Sequence, residues 1–181
     1  MFKIDDSTAL RALQKEDAPE LFALTEANRK YLRTWLPWVD VVLAEGDWTA
    51  FIERAMAQRE AGRGPTFAIV RDGAIVGIVG FMRPIDPANR VGEISYWLAA
   101  EAQGRGTMTE CCRFIVRYAF LTLDLNRVEI AAATGNTRSR AIPERLGFKF
   151  EGVLREREEL YGTFVDHALY SQLRSEFDAL L

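Results

Sequence analysis

Glu101-Ala102-Gln103-Gly104-Arg105-Gly106-Thr107-Met108 sits where an apolar, strand-like segment gives way to a helical pattern. Glycines at such a junction let the chain turn sharply and bring backbone N–H groups close to a ligand. With the positive end of the following helix dipole, those N–H groups form an anion site suited to a diphosphate. The spacing excludes two common phosphate binders. Gly-x-x-x-x-Gly-Lys-Ser/Thr is absent, and Gly104 and Gly106 begin a Gly-x-Gly-x-x-Gly that Thr109 breaks at the third glycine. Taken alone, the segment is equally a tight strand–helix turn with no ligand.

Working outward, Val91–Leu98 reads as the strand before the loop and Met108 to about Thr122 as the helix after it. Upstream, Thr8–Leu13 alternates like a strand. Asp17, Pro19 and Glu20 predict a capped helix to about Asn28. Tyr31–Val39 is aromatic and apolar and reads as a helical turn and loop. Asp47 predicts the start of a helix that Gly62 and Gly64 end. Thr66–Arg71 and Ala74–Met82 flank Asp72-Gly73, a two-residue hairpin signal. Downstream come a strand at Arg127–Ala133, a helix at Thr137–Leu146, and strands at Phe148–Tyr161 and Phe164–Leu173. Antiparallel strands followed by strand–helix alternation predict a mixed α/β fold, mostly antiparallel, with helices on both faces. The 181 residues read as one domain with its core at about residues 8–173.

Composition narrows the function. Lys and Arg number 23 against 26 Asp and Glu, and the charges interleave, as in Arg155-Glu156-Arg157-Glu158-Glu159. No basic stripe offers itself to nucleic acid. No apolar run is long enough for a membrane span, and the opening residues lack a secretory pattern, so the expected location is cytoplasmic. Adjacent Cys111 and Cys112 read as packing residues, and the sole histidine, His167, rules out a multi-histidine metal site. The expectation is no metal.

The loop gains a second motif downstream. Asn136-Thr137-Arg138-Ser139 precedes Arg145-Leu146-Gly147-Phe148, in the right order after Gln103-Gly104-Arg105-Gly106-Thr107. Together these segments resemble the GCN5-related N-acetyltransferases, whose loop follows Gln/Arg-x-x-Gly-x-Gly/Ala. Gln103 and Gly106 match, and Met108 departs at the third fixed position. That departure resembles the branch that acetylates ribosomal proteins (RimJ/RimL), and the likeness spans about Thr8 to Leu173.

The resemblance implies acetyl-CoA as co-substrate. The backbone of Gln103, Gly104, Arg105, Gly106, Thr107 and Met108 would hold the diphosphate, and Trp97 and Leu98 would pair with the pantetheine arm. Asn136, a natural helix cap, would also touch the coenzyme. The same branch implies Glu158 as the base, directly or through water, and Ser139 as proton donor to the leaving thiolate. The Leu98 N–H would meet the oxyanion. Read by strand alternation, Glu156 and Glu158 share one face and Glu159 the other. Tyr31, Trp35, Trp38 and the loop Arg83–Arg90 are candidates for the acceptor pocket, although such aromatics equally fill cores. His167 reads as an exposed or core-satisfied residue. The implied acceptor is a protein N-terminus. A small amine such as a polyamine or amino sugar is the alternative, and a non-catalytic acyl-CoA-binding module is a third reading. A homodimer follows from the resemblance alone.

Overall fold

In the computed structural model, residues 1–179 are described. They form strands β1 (Phe2–Lys3), β2 (Thr8–Ala12), β3 (Thr66–Arg71), β4 (Ala74–Gly80), β5 (Val91–Glu93), β6 (Ser95–Leu98), β7 (Arg127–Ala133), β8 (Lys149–Leu160) and β9 (Thr163–Leu173). The α-helices are α1 (Ala18–Leu32), α2 (Glu45–Glu60), α3 (Thr107–Leu121), α4 (Thr137–Arg145) and α5 (Arg174–Asp178), with short 3-10 turns at Lys15–Asp17, Pro37–Asp40 and Ala100–Ala102. The strands make two sheets, ordered β1-β2-β3-β4-β6 and β5-β7-β9-β8. All pairings are antiparallel except β5 with β7.

The first sheet is covered on both faces. Leu10, Ile69 and Val79 pack with Cys111, Cys112 and Ile115 of α3, while Ala68, Ile75 and Ile78 pack with Leu21 of α1 and Ile52 of α2. That is the helix-on-both-faces arrangement read from the sequence. In α3 the buried positions Met108, Cys111, Cys112, Ile115, Val116, Ala119 and Phe120 recur at helical spacing. Asp72 and Gly73 both have positive φ, 50° and 87°, as a primed hairpin turn requires.

Four local expectations change. The predicted strand Val91–Leu98 is two strands in different sheets. β5 pairs with β7 and β6 pairs with β4, and the last link to β7 is the Ile94 N–H donating to Glu129 O at 2.8 Å. Beyond Ile94 the strands β6 and β7 part, and the gap between them is the floor of the cleft described below. Asp17 stands at the N-cap position of α1 as expected, but its side chain makes no capping bond. Its carboxylate is taken by Arg11 in two 2.7 Å hydrogen bonds and by the Gln14 N–H, while Glu20 accepts from the Ile75 N–H. Helix α1 also runs past Asn28 to Leu32, because Arg29 is anchored to the carbonyls of Val39 and Val42 in the following loop. Asp47 lies inside the first turn of α2 and reaches back to the N–H groups of Leu43 and Ala44.

Candidate active site

A cleft of about 1450 Å³ opens where β6 and β7 diverge, with Tyr96 to Leu98 on one side and Ala131 to Ala133 on the other. Drug-sized ligands fill roughly 300–1,000 Å³, so this cleft has room for two reactants. At one margin lies the N-terminus of α3. Gly106 is its N-cap residue at φ 77°, and no side chain caps the helix. The first N–H groups of a helix have no acceptor within it, so those of Thr107 to Thr109 are available to an anion. Gly104 shares the left-handed conformation at φ 76°, and a Cβ built at either glycine meets nothing within 4 Å. Gly104, Gly106, Thr107 and Met108 line the cleft. This cradle of backbone donors fits a diphosphate. Arg71 of β3 braces it from behind, donating to Ala102 O and to the Thr107 hydroxyl.

Gln103 fastens the corner. Its side-chain amide donates to Leu98 O at 3.1 Å and to the Tyr31 hydroxyl, and accepts from Arg138 of α4 at 3.4 Å. Strand β6 exposes alternate backbone groups to the cleft. The Ala99 N–H points back and donates to Val76 O, at the start of β4, at 2.8 Å. Successive N–H groups point to opposite edges of a strand, so the Leu98 N–H points into the cleft.

Helix α4 supplies the opposite rim. Asn136 is its N-cap, accepting from the Ser139 N–H at 3.2 Å. The Ser139 hydroxyl donates to the Tyr96 hydroxyl at 3.2 Å, and Tyr96 in turn donates to Ser139 O at 3.0 Å. Burial, with a contribution from Cys112, raises the Tyr96 phenol well above its ordinary value. Tyr96 therefore stays neutral and serves as a fixed hydroxyl behind Ser139. The sequence offered no signal for it beyond a tyrosine on the strand before the loop.

Within the charged run of β8, Glu158 is half-buried while Arg155, Glu156, Arg157 and Glu159 are exposed. Glu158 lines the cleft, and its carboxylate lies 3.2 Å from His167 Nε2. The simple alternation of Glu156 with Glu158 does not hold, because Glu156 has φ 51° at a register shift in β8. Glu156 does not line the cleft, whereas His167, read from the sequence as uninvolved, does.

Tyr31, Trp35 and Trp38 line the same cleft and are half-buried. Trp38 also packs on Trp48 and Trp97, with ring centroids 5.6 and 5.9 Å apart, so its core and cleft roles coexist. The Trp35 ring lies against the chain just before α4, 3.0 Å from where a Cβ on Gly135 would stand. From the loop Arg83–Arg90 only Arg83 reaches the cleft. Of the residues read as holding the coenzyme, Arg105 alone stays outside, its side chain exposed to solvent.

The cysteines face the core from α3. Burial pushes the Cys111 thiol up to about 12 and raises Cys112 well above its usual value. Thiolates are the reactive form, so a thiol-specific disulfide reagent should label neither cysteine in the native protein and both after denaturation. Rapid native labelling would contradict this packing. Among the described residues, no cluster of three or more His, Cys, Asp or Glu side chains is arranged to hold a metal ion, and no helix is long and apolar enough to cross a membrane.

Comparison with known proteins joins this geometry to an activity. The family model "Acetyltransferase (GNAT) domain" matches residues 8–149. The "Putative ribosomal N-acetyltransferase YdaF" of Bacillus subtilis (strain 168) is 34% identical over 177 residues, covering 97% of this chain and 96% of that protein. The ribosomal-protein-serine acetyltransferase of Escherichia coli (strain K12) is 27% identical over 171 residues, covering 94% and 95%. Among solved structures, the microcin C7 self immunity acetyltransferase MccE, in complex with acetyl-CoA and AMP, superposes with a TM-score of 0.88 at 31% identity over 94% of each chain. The chain thus belongs to the GNAT acetyltransferase family and is an N-acetyltransferase that draws its acetyl group from acetyl-CoA.

Proposed function

We propose that this enzyme acetylates the N-terminal α-amine of a protein, with a ribosomal protein as the favoured acceptor. The observation that carries the reading is that one cleft receives both the uncapped N-terminus of α3 and the half-buried Glu158. A coenzyme held at the first then meets an acceptor amine at the second. The names of the Bacillus subtilis and Escherichia coli relatives support a ribosomal acceptor.

Acetyl-CoA supplies the activated thioester. The backbone donors of Gly104 to Met108 hold its diphosphate, Asn136 and Gln103 flank it, and the edges of Trp97 and Leu98 align the pantetheine arm. Glu158 accepts a proton from the acceptor ammonium, directly or through a water. The freed nitrogen forms the new C–N bond, and the carbonyl oxygen takes up negative charge. The Leu98 N–H donates to that oxygen, a contact that gains strength only as charge develops. When the C–S bond breaks, the sulfur keeps the electron pair. The Ser139 hydroxyl turns its one proton from Tyr96 to that sulfur, and the proton still carried by the acylated nitrogen passes to the thiolate, giving the free thiol. Tyr31, Trp35 and Trp38 form the apolar wall against which the acceptor's first residues lie.

A small amine is the second reading, favoured by the reach of Trp35 over Gly135, which narrows the acceptor side. Mass spectrometry separates the two. The enzyme is incubated with isotopically labelled acetyl-CoA and, in parallel, with ribosomal-protein N-terminal peptides and a panel of polyamines and amino sugars. Label on peptide α-amines is expected. Label confined to the small amines would overturn the protein reading.

A further inference from the structure

The charged run on β8 contains a distortion that has a chemical consequence. Leu154 pairs with His167 and Glu158 with Val165, so Arg155, Glu156 and Arg157 together face only Asp166. In an unbroken antiparallel ladder continued from Leu154, Glu158 would stand opposite Thr163. The bulge draws it back by two residues, roughly 6.6 Å along the strand. Because the shift is an even number, Glu158 keeps its face and becomes the diagonal neighbour of His167. Diagonal neighbours on one face are within reach of long side chains.

Two features hold this arrangement. Glu156 adopts φ 51°, an uncommon conformation for a residue other than glycine, and its N–H donates to Asp166 Oδ1 at 2.8 Å. His167 stands on β9, an interior strand paired on both sides, opposite Ala133 of β7 and Leu154 of β8. Its backbone is therefore held by ladders on two edges. The Nε2–Oε2 separation is 3.2 Å, with the side chains 14% and 34% exposed, so the imidazole is the less solvated of the pair.

Resting on the reading of Glu158 as the base, we propose that His167 is a positioning residue for it, and that the bulge pinned by Asp166 delivers Glu158 to it. With a proton on Nε2, His167 donates to Glu158 Oε2. This fixes one carboxylate oxygen and turns the other toward the amine. His167 itself neither takes nor gives the proton in transfer. It removes the rotational freedom of a glutamate that is otherwise one member of a solvated charge run. Misplacement of a reacting group by about 1 Å can cost 100-fold in rate, so the contact matters to turnover and not to coenzyme binding.

The test is a double-mutant cycle in the full chain. His167→Ala should lower kcat by about ten- to a hundredfold while leaving KM for acetyl-CoA unchanged. His167→Gln, which can place an N–H near the Nε2 position, should recover most of the loss. Placed on Glu158→Gln, His167→Ala should slow the enzyme by less than about threefold, since nothing remains to position. If His167→Ala loses its cooperative thermal melt, the comparison moves to His167→Gln against His167→Met, with the same expectation. Turnover within about twofold of the parent in a folded variant lacking the donor would overturn the proposal. So would an equal loss in both backgrounds. If Glu158→Gln itself turns over normally, the base assignment fails first, and that result is distinct from a failure of His167 alone.

Discussion

Glu158→Gln is expected to lower kcat by about 100- to 1,000-fold and to leave the Kd for acetyl-CoA within about twofold. The amide matches the carboxylate in shape but cannot accept the proton that the acceptor ammonium must lose. General acid–base groups typically contribute 10²–10⁴-fold, and the lower part of that range fits a base that water partly replaces. Coenzyme affinity should hold because the diphosphate cradle lies on the loop before α3 and Glu158 lies on β8. Steady-state kinetics across a pH series, with calorimetry for the coenzyme, checks both halves. A variant as active as the parent at every pH would remove Glu158 from the mechanism, even if acetyl transfer itself stands.

Gly106→Val is expected to do the converse, weakening acetyl-CoA by about tenfold while lowering the melting temperature by no more than about 2–8 °C. Gly106 sits at φ 77° at the N-cap of α3. An L-residue there costs roughly 1–2 kcal/mol, and a β-branched residue is a genuine outlier. The free protein already holds that conformation, so the cost falls on stability where the loop keeps it; a loop that relaxes must be rebuilt to bind, which corresponds to about a 5- to 30-fold loss of affinity. The new side chain would also project into open space beside the helix N-terminus, since a Cβ at Gly106 meets no atom within 4 Å. No packing is broken, so the stability loss stays within that backbone strain, and the displaced loop and added side chain bear on binding. Unchanged coenzyme affinity, measured by titration calorimetry, would contradict the assignment of this loop.

Much of this site could be read in the sequence because its chemistry is local. The loop needs glycines for positive φ, and α3 announces itself by an apolar stripe. Asn136 precedes its helix by one residue and caps it as such residues do. The hairpin turn at Asp72-Gly73 is legible for the same reason: the backbone conformation constrains the residue type.

What the sequence hid depends on partners far along the chain. Val91–Leu98 reads as one strand because its pattern does not record that the first half bonds β7 and the second half β4. Yet that exchange opens the cleft. Asp17 is a plausible cap until Arg11 and the Gln14 N–H claim its carboxylate. On β8, counting alternate residues fails at Glu156, whose conformation follows from Asp166 on the next strand. His167 was illegible because its partner Glu158 is reached only across that bulge. A single histidine has no spacing to be recognised by.

The most direct test of the central claim is a crystal structure of the protein with coenzyme A and an acceptor peptide. The diphosphate oxygens should lie within about 3.2 Å of backbone nitrogens between Gly104 and Thr109, with the peptide's terminal nitrogen facing Glu158. A diphosphate seated elsewhere, with the α3 N-terminus left to solvent, would contradict the account.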